Sequence, residues 1–258
     1  MTYHLVARAR PGQLLFADAT EGARLWKAVL TAAPEPIALT LMPNHIHLVH
    51  PHDVRRRLGG ALGRYVRWRH HRRGLTGPCL QRLPPAELLA DRSKRRRAVR
   101  YVHLNPCRAR LVDDPLAWPW STHRDAVGLA LQPAIPRAAQ PHRFHAYVSG
   151  DPTVHPEGTE LPQPGGPPPS PSLLRAVMAS MARQPEAVLR QRGPWRRLFL
   201  GVGYALCDVP QTEVRAAAGV GKGAVVPTPP RHVVHAVDRA VHDPRMQHPL
   251  PWARRWAA

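Results

Sequence analysis

The chain is short of acid. It sets 17 aspartates and glutamates against 37 lysines and arginines, a formal net charge of +20 over 258 residues. That excess is far beyond what solubility requires and points to a polyanionic partner, nucleic acid before any other. Lysine is also scarce, 3 residues against 34 arginines; codon usage can favour arginine over lysine, but it does not remove acids. Cys79, Cys107 and Cys207 stand singly with no Cys-x-x-Cys spacing, which excludes a disulfide framework and a zinc knuckle. No apolar run reaches the length of a membrane span, and the stretch from Met1 to Arg8 has no apolar segment of the signal type. No membrane partner is expected, and the expected location is the cytoplasm, at the nucleoid. Gly219-Val220-Gly221-Lys222-Gly223 is not a phosphate loop, because Ala216 stands where its first glycine is needed and Gly223 where Ser or Thr must follow the lysine.

The charge is concentrated. Between Val54 and Arg110 there are 17 basic residues and two acids, Glu87 and Asp91. Residues 2–9 alternate as a strand, and Glu21 to Ala33 carries Leu25, Trp26, Val29 and Leu30 at helical spacing after a cap at Thr20. Ile37 to Leu41 and His45 to His50 read as strands on either side of a turn at Met42-Pro43-Asn44. Val54 to Arg73 reads as a basic helix with Leu58, Leu62, Tyr65 and Trp68 on its apolar side. The prolines at 84 and 85 confine the apolar piece from Leu83 to Ala90 to an edge strand or a loop. From Ser93 the pattern is helical again and is expected to stop near Pro106. Such an order predicts an α+β fold, an antiparallel sheet covered by helices.

Composition divides the rest. Residues 1–132 form the first domain; residues 133–172, with 11 prolines, read as a semi-rigid linker. Residues 173–258 read as a small helical domain with helices over Leu173 to Ala182, Trp195 to Leu206 and Gln211 to Ala218. The turn at Gly219-Val220-Gly221 suggests a degenerate helix-turn-helix, since Pro227, Pro229 and Pro230 interrupt what should be its second helix.

Leu41-Met42-Pro43-Asn44-His45-Ile46-His47-Leu48-Val49 places two histidines on one face of a strand, half of a metal site. Downstream, Tyr101 and Asn105 share a helix face at a spacing of four. Two imidazoles, a phenol and an amide make a constellation suited to phosphodiester cleavage. A cation on such a site would neutralise a non-bridging phosphate oxygen. A phenol, mostly protonated at neutral pH, would need that charge or arginines such as Arg97 and Arg100 to attack. Attack would leave a 5′-phosphotyrosine and a free 3′-OH, so that a second 3′-OH can reverse the step without ATP. A zinc hydrolase fits less well, because two acids between Val54 and Arg110 are too few for its ligands and base.

In this order and with these flanks, the motif from Met42 to Val49, the run Arg100-Tyr101-Val102-His103-Leu104-Asn105-Pro106-Cys107-Arg108-Ala109-Arg110-Leu111-Val112 and Trp118-Pro119-Trp120-Ser121-Thr122-His123-Arg124 resemble the REP-associated tyrosine transposases of the HUH single-strand superfamily. The resemblance spans roughly residues 2–130. It implies a ferredoxin-like fold, Mg²⁺ or Mn²⁺ on His45, His47 and Asn105, and Tyr101 as nucleophile. It also implies single-stranded or hairpin DNA as substrate, bound by a monomer or homodimer. Arg55, Arg64, Arg67 and Arg72, with Arg97 and Arg100, are the expected DNA contacts, and Tyr65 or Trp68 would stack on bases. Cys79 to Pro85 departs from the strand the family carries there, and His123 stands at a position where it often has tyrosine. The competing reading is a non-catalytic or domesticated relative that binds nucleic acid and forms no covalent adduct.

Overall fold

The structure, a computed structural model, describes residues 1–128, 130, 133–150, 168–182, 184–221, 226, 228–243 and 245. The chain divides into two compact units, Met1–Leu161 and Pro162–Ala258.

In the first unit β1 (Tyr3–Arg8), α1 (Ala19–Ala32), β2 (Ala38–Met42), β3 (His45–His50), α2 (Arg55–Arg73), β4 (Glu87–Leu88) and α3 (Arg92–Arg108) follow in order. The four strands form one antiparallel sheet in the order β2-β3-β1-β4. The two-residue turn Pro43-Asn44 sets the β2–β3 register, Met42 opposite His45, and that register decides which face each histidine takes. On one face Ala38 and Val49 pack against Val102 of α3. On the other, Leu5, Leu39, Leu41, Ile46 and Leu48 are buried to 2 % exposure or less. That side is left to α1 and α2, which pack on each other and bring Leu25, Trp26, Val29, Leu58 and Leu62 out of water.

The helices form for different reasons. α1 starts at Asp18, not Thr20: the Asp18 carboxylate accepts from Glu21 N at 2.8 Å, and the Glu21 carboxylate accepts from Ala17 N at 2.8 Å, a capping box shifted back by one residue at its second bond. α2 has little intrinsic tendency to be helical. Gly59, Gly60 and Gly63 each cost about 1 kcal/mol relative to alanine, and Arg55–Arg57 put positive charge at the N-terminus, where the helix dipole disfavours it. Tertiary contact outweighs this. The Tyr65 hydroxyl donates to Leu15 O at 2.6 Å, and the arginines of the last turn close on α1. Arg69 Nε and Arg73 Nε donate to the buried Glu21 carboxylate at 3.1 and 2.7 Å, and Arg72 and Arg73 reach Asp18 at 2.9 and 2.6 Å. α3 is capped by Asp91, which accepts from Lys94 N at 2.7 Å. It does not stop at Pro106: the proline occupies the last turn, the missing N–H costs one bond, and Ala109 N still closes on Asn105 O at 2.9 Å.

Both edges of the sheet carry short pairings. Cys79–Gln81 runs along the end of β1, with Arg10 N to Cys79 O at 2.8 Å and Gln81 N to Arg8 O at 2.9 Å. Trp120–Thr122 closes the β2 edge, with Leu41 N to Trp120 O at 2.8 Å and Thr122 N to Leu39 O at 2.9 Å. Within 133–172, which composition reads as linker, α5 (Pro141–Ser149) packs on α3 after the short α4 (His123–Ala126), so ordered structure of this unit runs past residue 132.

The second unit comprises α6 (Pro171–Ala182), α7 (Pro194–Leu206), α8 (Gln211–Ala217) and α9 (Arg231–Val241). α7 and α8 touch at Gly203, where an added Cβ would fall 2.5 Å from Val214 Cγ1. α9 begins directly after Pro230, its N-cap. The helix-turn-helix reading falls partly on residues 222–225, outside the described residues. Among the described residues no helix is long and apolar enough to cross a membrane.

Candidate active site

Strand alternation and register bring His45 and His47 onto the α3 face of the sheet, their ring centroids 4.8 Å apart. Tyr101, on α3, stands edge-on to His47 with centroids 5.2 Å apart at 90°. Asn105 is one turn further on; its side-chain amide donates to Tyr101 O at 3.3 Å, and it lies near enough to His45 to raise that ring's pKa. The structure therefore brings His45, His47, Tyr101 and Asn105 together. Tyr101 is 36 % exposed.

The hydrogen bonds of the two imidazoles leave their Nε2 atoms toward the site. His45 Nδ1 is held by Asn44 Oδ1 at 2.7 Å, which leaves Nε2 for the site. His47 Nδ1 lies 3.2 Å from His4 Nε2, and His47 Nε2 is buried with no hydrogen-bond partner. An orphaned buried nitrogen costs about 1–3 kcal/mol unless something pairs it. Burial holds His47 down to about 3, helped by the positive charges of His45, His4 and Arg8 when present. Burial and Arg8 lower His45 as well, opposed by Asn105. Both rings are thus neutral at neutral pH, the state in which imidazole ligates a metal. Among the described residues no group of three His, Cys, Asp or Glu side chains is arranged to hold a metal; a divalent cation here would need Asn105 as its third protein donor.

Three further residues belong to this face and were not singled out from the sequence. His4 stacks on His47 with centroids 5.4 Å apart and lies edge-on to Tyr101 at 6.4 Å. Arg8 pairs directly with His45 across β1 and β3. The Arg108 guanidinium sits over the Tyr101 ring at 5.1 Å, a cation–π contact. The signals were present: His4, Val6 and Arg8 alternate, and Arg108 lies seven residues after Tyr101, two helical turns.

The other basic residues divide. Arg100 donates to Val148 O at 3.4 Å and lies 5.7 Å over Tyr147, so it joins α3 to α5; Arg97 is exposed on α3. Neither is the arginine that stacks on Tyr101. Arg55, Arg64 and Arg67 are exposed on α2, in the layer on the far side of the sheet from His47. Arg72 is engaged by Asp18 and Glu21. Tyr65 is 3 % exposed, with its phenol pushed up by burial and by Glu21, so no base can stack on it. Trp68 lies under Arg24 at 4.4 Å.

The Trp118–Arg124 segment supports the site from behind. Trp118 Nε1 donates to Leu41 O at 2.8 Å, and Ser121 Oγ bonds Thr40 Oγ1 at 3.0 Å and His103 Nδ1 at 3.2 Å. Thr40 is the β2 partner of His47, so one buried hydroxyl ties β2 to α3 beside the site. His123, at the departure from the family pattern, is buried and bonds His145 Nδ1 at 2.9 Å.

The chain matches no protein-family model and no curated protein. A solved structure described as that of "the REP associates tyrosine transposase bound to a REP hairpin" is similar at 21 % identity, covering 52 % of this chain and 82 % of that chain, with a TM-score of 0.39.

Proposed function

We propose that this protein is a single-strand DNA transesterase of the tyrosine transposase type, acting on hairpin-forming DNA through a covalent 5′-phosphotyrosine on Tyr101. The observation that carries the reading is the convergence of Tyr101, Asn105 and two neutral histidines, one with an unpaired buried Nε2, on a single face. The βαββαβ order and the strand order β2-β3-β1-β4 support the ferredoxin-like description of the sheet.

His45 Nε2, His47 Nε2 and the Asn105 amide oxygen would hold Mg²⁺ or Mn²⁺, whose chemistry when bound is to neutralise a non-bridging oxygen of the scissile phosphate. The Tyr101 oxygen attacks phosphorus, the Oη–P bond forms and the P–O3′ bond breaks. The phenol proton is lost to solvent, and the departing 3′ oxygen takes one up. Arg108 favours the phenolate through its contact with the ring, and Arg8, exposed and paired with His45 across the strands, binds the substrate phosphate. The net charge of +20 draws the polyanion in, with the α2 arginines adding long-range attraction from the opposite layer.

The test is incubation with labelled hairpin-bearing single-stranded DNA and Mn²⁺, followed by denaturing electrophoresis. Wild-type protein gives a covalent adduct, and Tyr101→Phe gives none while binding DNA within about two-fold of wild type, since only the nucleophilic oxygen is lost. Binding without an adduct by wild type would establish the non-catalytic reading instead.

A further inference from the structure

The Glu87 carboxylate and His4 form a relay that ends on His47. β1 lies between β3 and β4, and His4 pairs with Val49 on one side and Glu87 on the other. His47 is the diagonal neighbour on the same face, within reach of a long side chain. The distances are 3.5 Å from Glu87 Oε2 to His4 Nδ1 and 3.2 Å from His4 Nε2 to His47 Nδ1. β4 is only two residues long, and Glu87 is one of them.

The proton positions follow from what each group can do. An ionised carboxylate only accepts, so the His4 nitrogen facing Glu87 carries its hydrogen. A neutral His4 then presents a lone pair at Nε2, and the hydrogen between the two rings must sit on His47 Nδ1. His47 Nε2 is left as a lone pair. The opposite arrangement would set two lone pairs against each other across 3.2 Å and would also leave a buried N–H at Nε2 with no acceptor among the described residues.

We infer that His4, oriented by Glu87, is a positioning residue that locks His47 in the Nδ1–H tautomer and so aims its Nε2 lone pair at the cation the proposed site would take. This rests on the metal reading above. Hydrogen bonding of the second nitrogen to an acceptor fixes the ring of a ligating histidine and raises its basicity, and loss of such a partner lowers metal affinity about 10–100-fold.

The experiment has two readouts on the whole chain. Long-range ¹H–¹⁵N spectra of the metal-free protein report the His47 tautomer, and isothermal titration with Mn²⁺ alone reports affinity. Wild type shows Nδ1–H at His47. His4→Phe, which cannot accept a hydrogen bond, shifts the ring toward Nε2–H and weakens Mn²⁺ about 10–100-fold. His4→Gln, whose amide oxygen can accept, restores both. Glu87→Ala, at an exposed position, loosens the relay and weakens Mn²⁺ less than His4→Phe. Nε2–H at His47 in wild type, or a folded His4→Phe with wild-type Mn²⁺ affinity, overturns the relay. If wild type shows Nδ1–H but takes up no Mn²⁺, the metal reading fails and the relay's role toward a cation falls with it.

Discussion

Tyr101 stands perpendicular to His47, 5.2 Å between ring centroids, on the one face of the sheet that is not sealed by α1 and α2. The residues belong to a helix and a strand more than 50 positions apart, and the contact exists because α3 packs along β2 and β3. It sets which side chains should matter to the reaction.

The first expectation concerns arginines. Arg8 and Arg108 border His45 and Tyr101, whereas Arg64 and Arg67 lie in the opposite layer. Arg108→Gln should slow adduct formation by about three- to thirty-fold, the worth of one cation–π contact that favours the phenolate. Arg8→Gln should flatten the slope of log K against log salt by about 0.7, one phosphate on a single strand. The pair Arg64→Gln and Arg67→Gln should change the slope by less than that, and a fall of about 1.4 would instead place the DNA along α2.

His45→Ala and Asn105→Ala should each abolish detectable Mn²⁺ uptake in calorimetry, because two donors are too few to hold a hard cation with open positions. Asn105→Asp should restore it, since a carboxylate oxygen replaces the amide oxygen and adds charge. Unchanged uptake by Asn105→Ala would show that the third donor lies elsewhere.

Glu21 is a stability residue. Burial alone would raise its carboxyl, but hydrogen bonds from Arg73, Ala17 N and Arg69 outweigh that and hold it below the usual range. Glu21→Ala leaves the Arg69 guanidinium buried without its partner and should cost about 3–5 kcal/mol in chemical denaturation. Arg72→Ala, at a partly exposed position, should cost no more than about 1 kcal/mol. Equal losses would mean that the ion pairs act as one exposed network.

Acid should weaken the fold through buried histidines. Burial lowers His103 to about 3, and burial with the charges of His103 and His145 when present lowers His123 well below its usual value. Between about pH 6.5 and the folded values the unfolded chain binds the protons and the native state does not. Stability is therefore greatest above about pH 6.5 and falls as pH drops, by about 1.4 kcal/mol per unit for each such histidine. Denaturation midpoints from pH 7 to pH 4.5 check this, and His123→Gln should make the fall shallower. A flat profile would show that these rings are protonated in the native state.

Sequence alone determined the local elements and the pairing of chemistry within each. Alternation put His45 and His47 on one side of a strand whichever partners the strand took, and a spacing of four put Tyr101 and Asn105 on one helix face. Both are consequences of backbone period, which needs no tertiary information. Position along the chain misled where local signals competed. Thr20 has the side chain of a cap but lies inside α1, which Asp18 caps, and Pro106 has the form of a stop although a last-turn proline costs only one hydrogen bond. A basic run read as a DNA surface includes Arg72, which closes on Asp18 and Glu21 more than 50 residues earlier. Tertiary structure alone decided which face of the sheet α3 would cover, and with it that Arg108 rather than Arg97 or Arg100 meets Tyr101. It also decided that His4 and Glu87 stand behind His47. Strand order and helix packing are set by burial summed over the whole unit, so no window of sequence contains them.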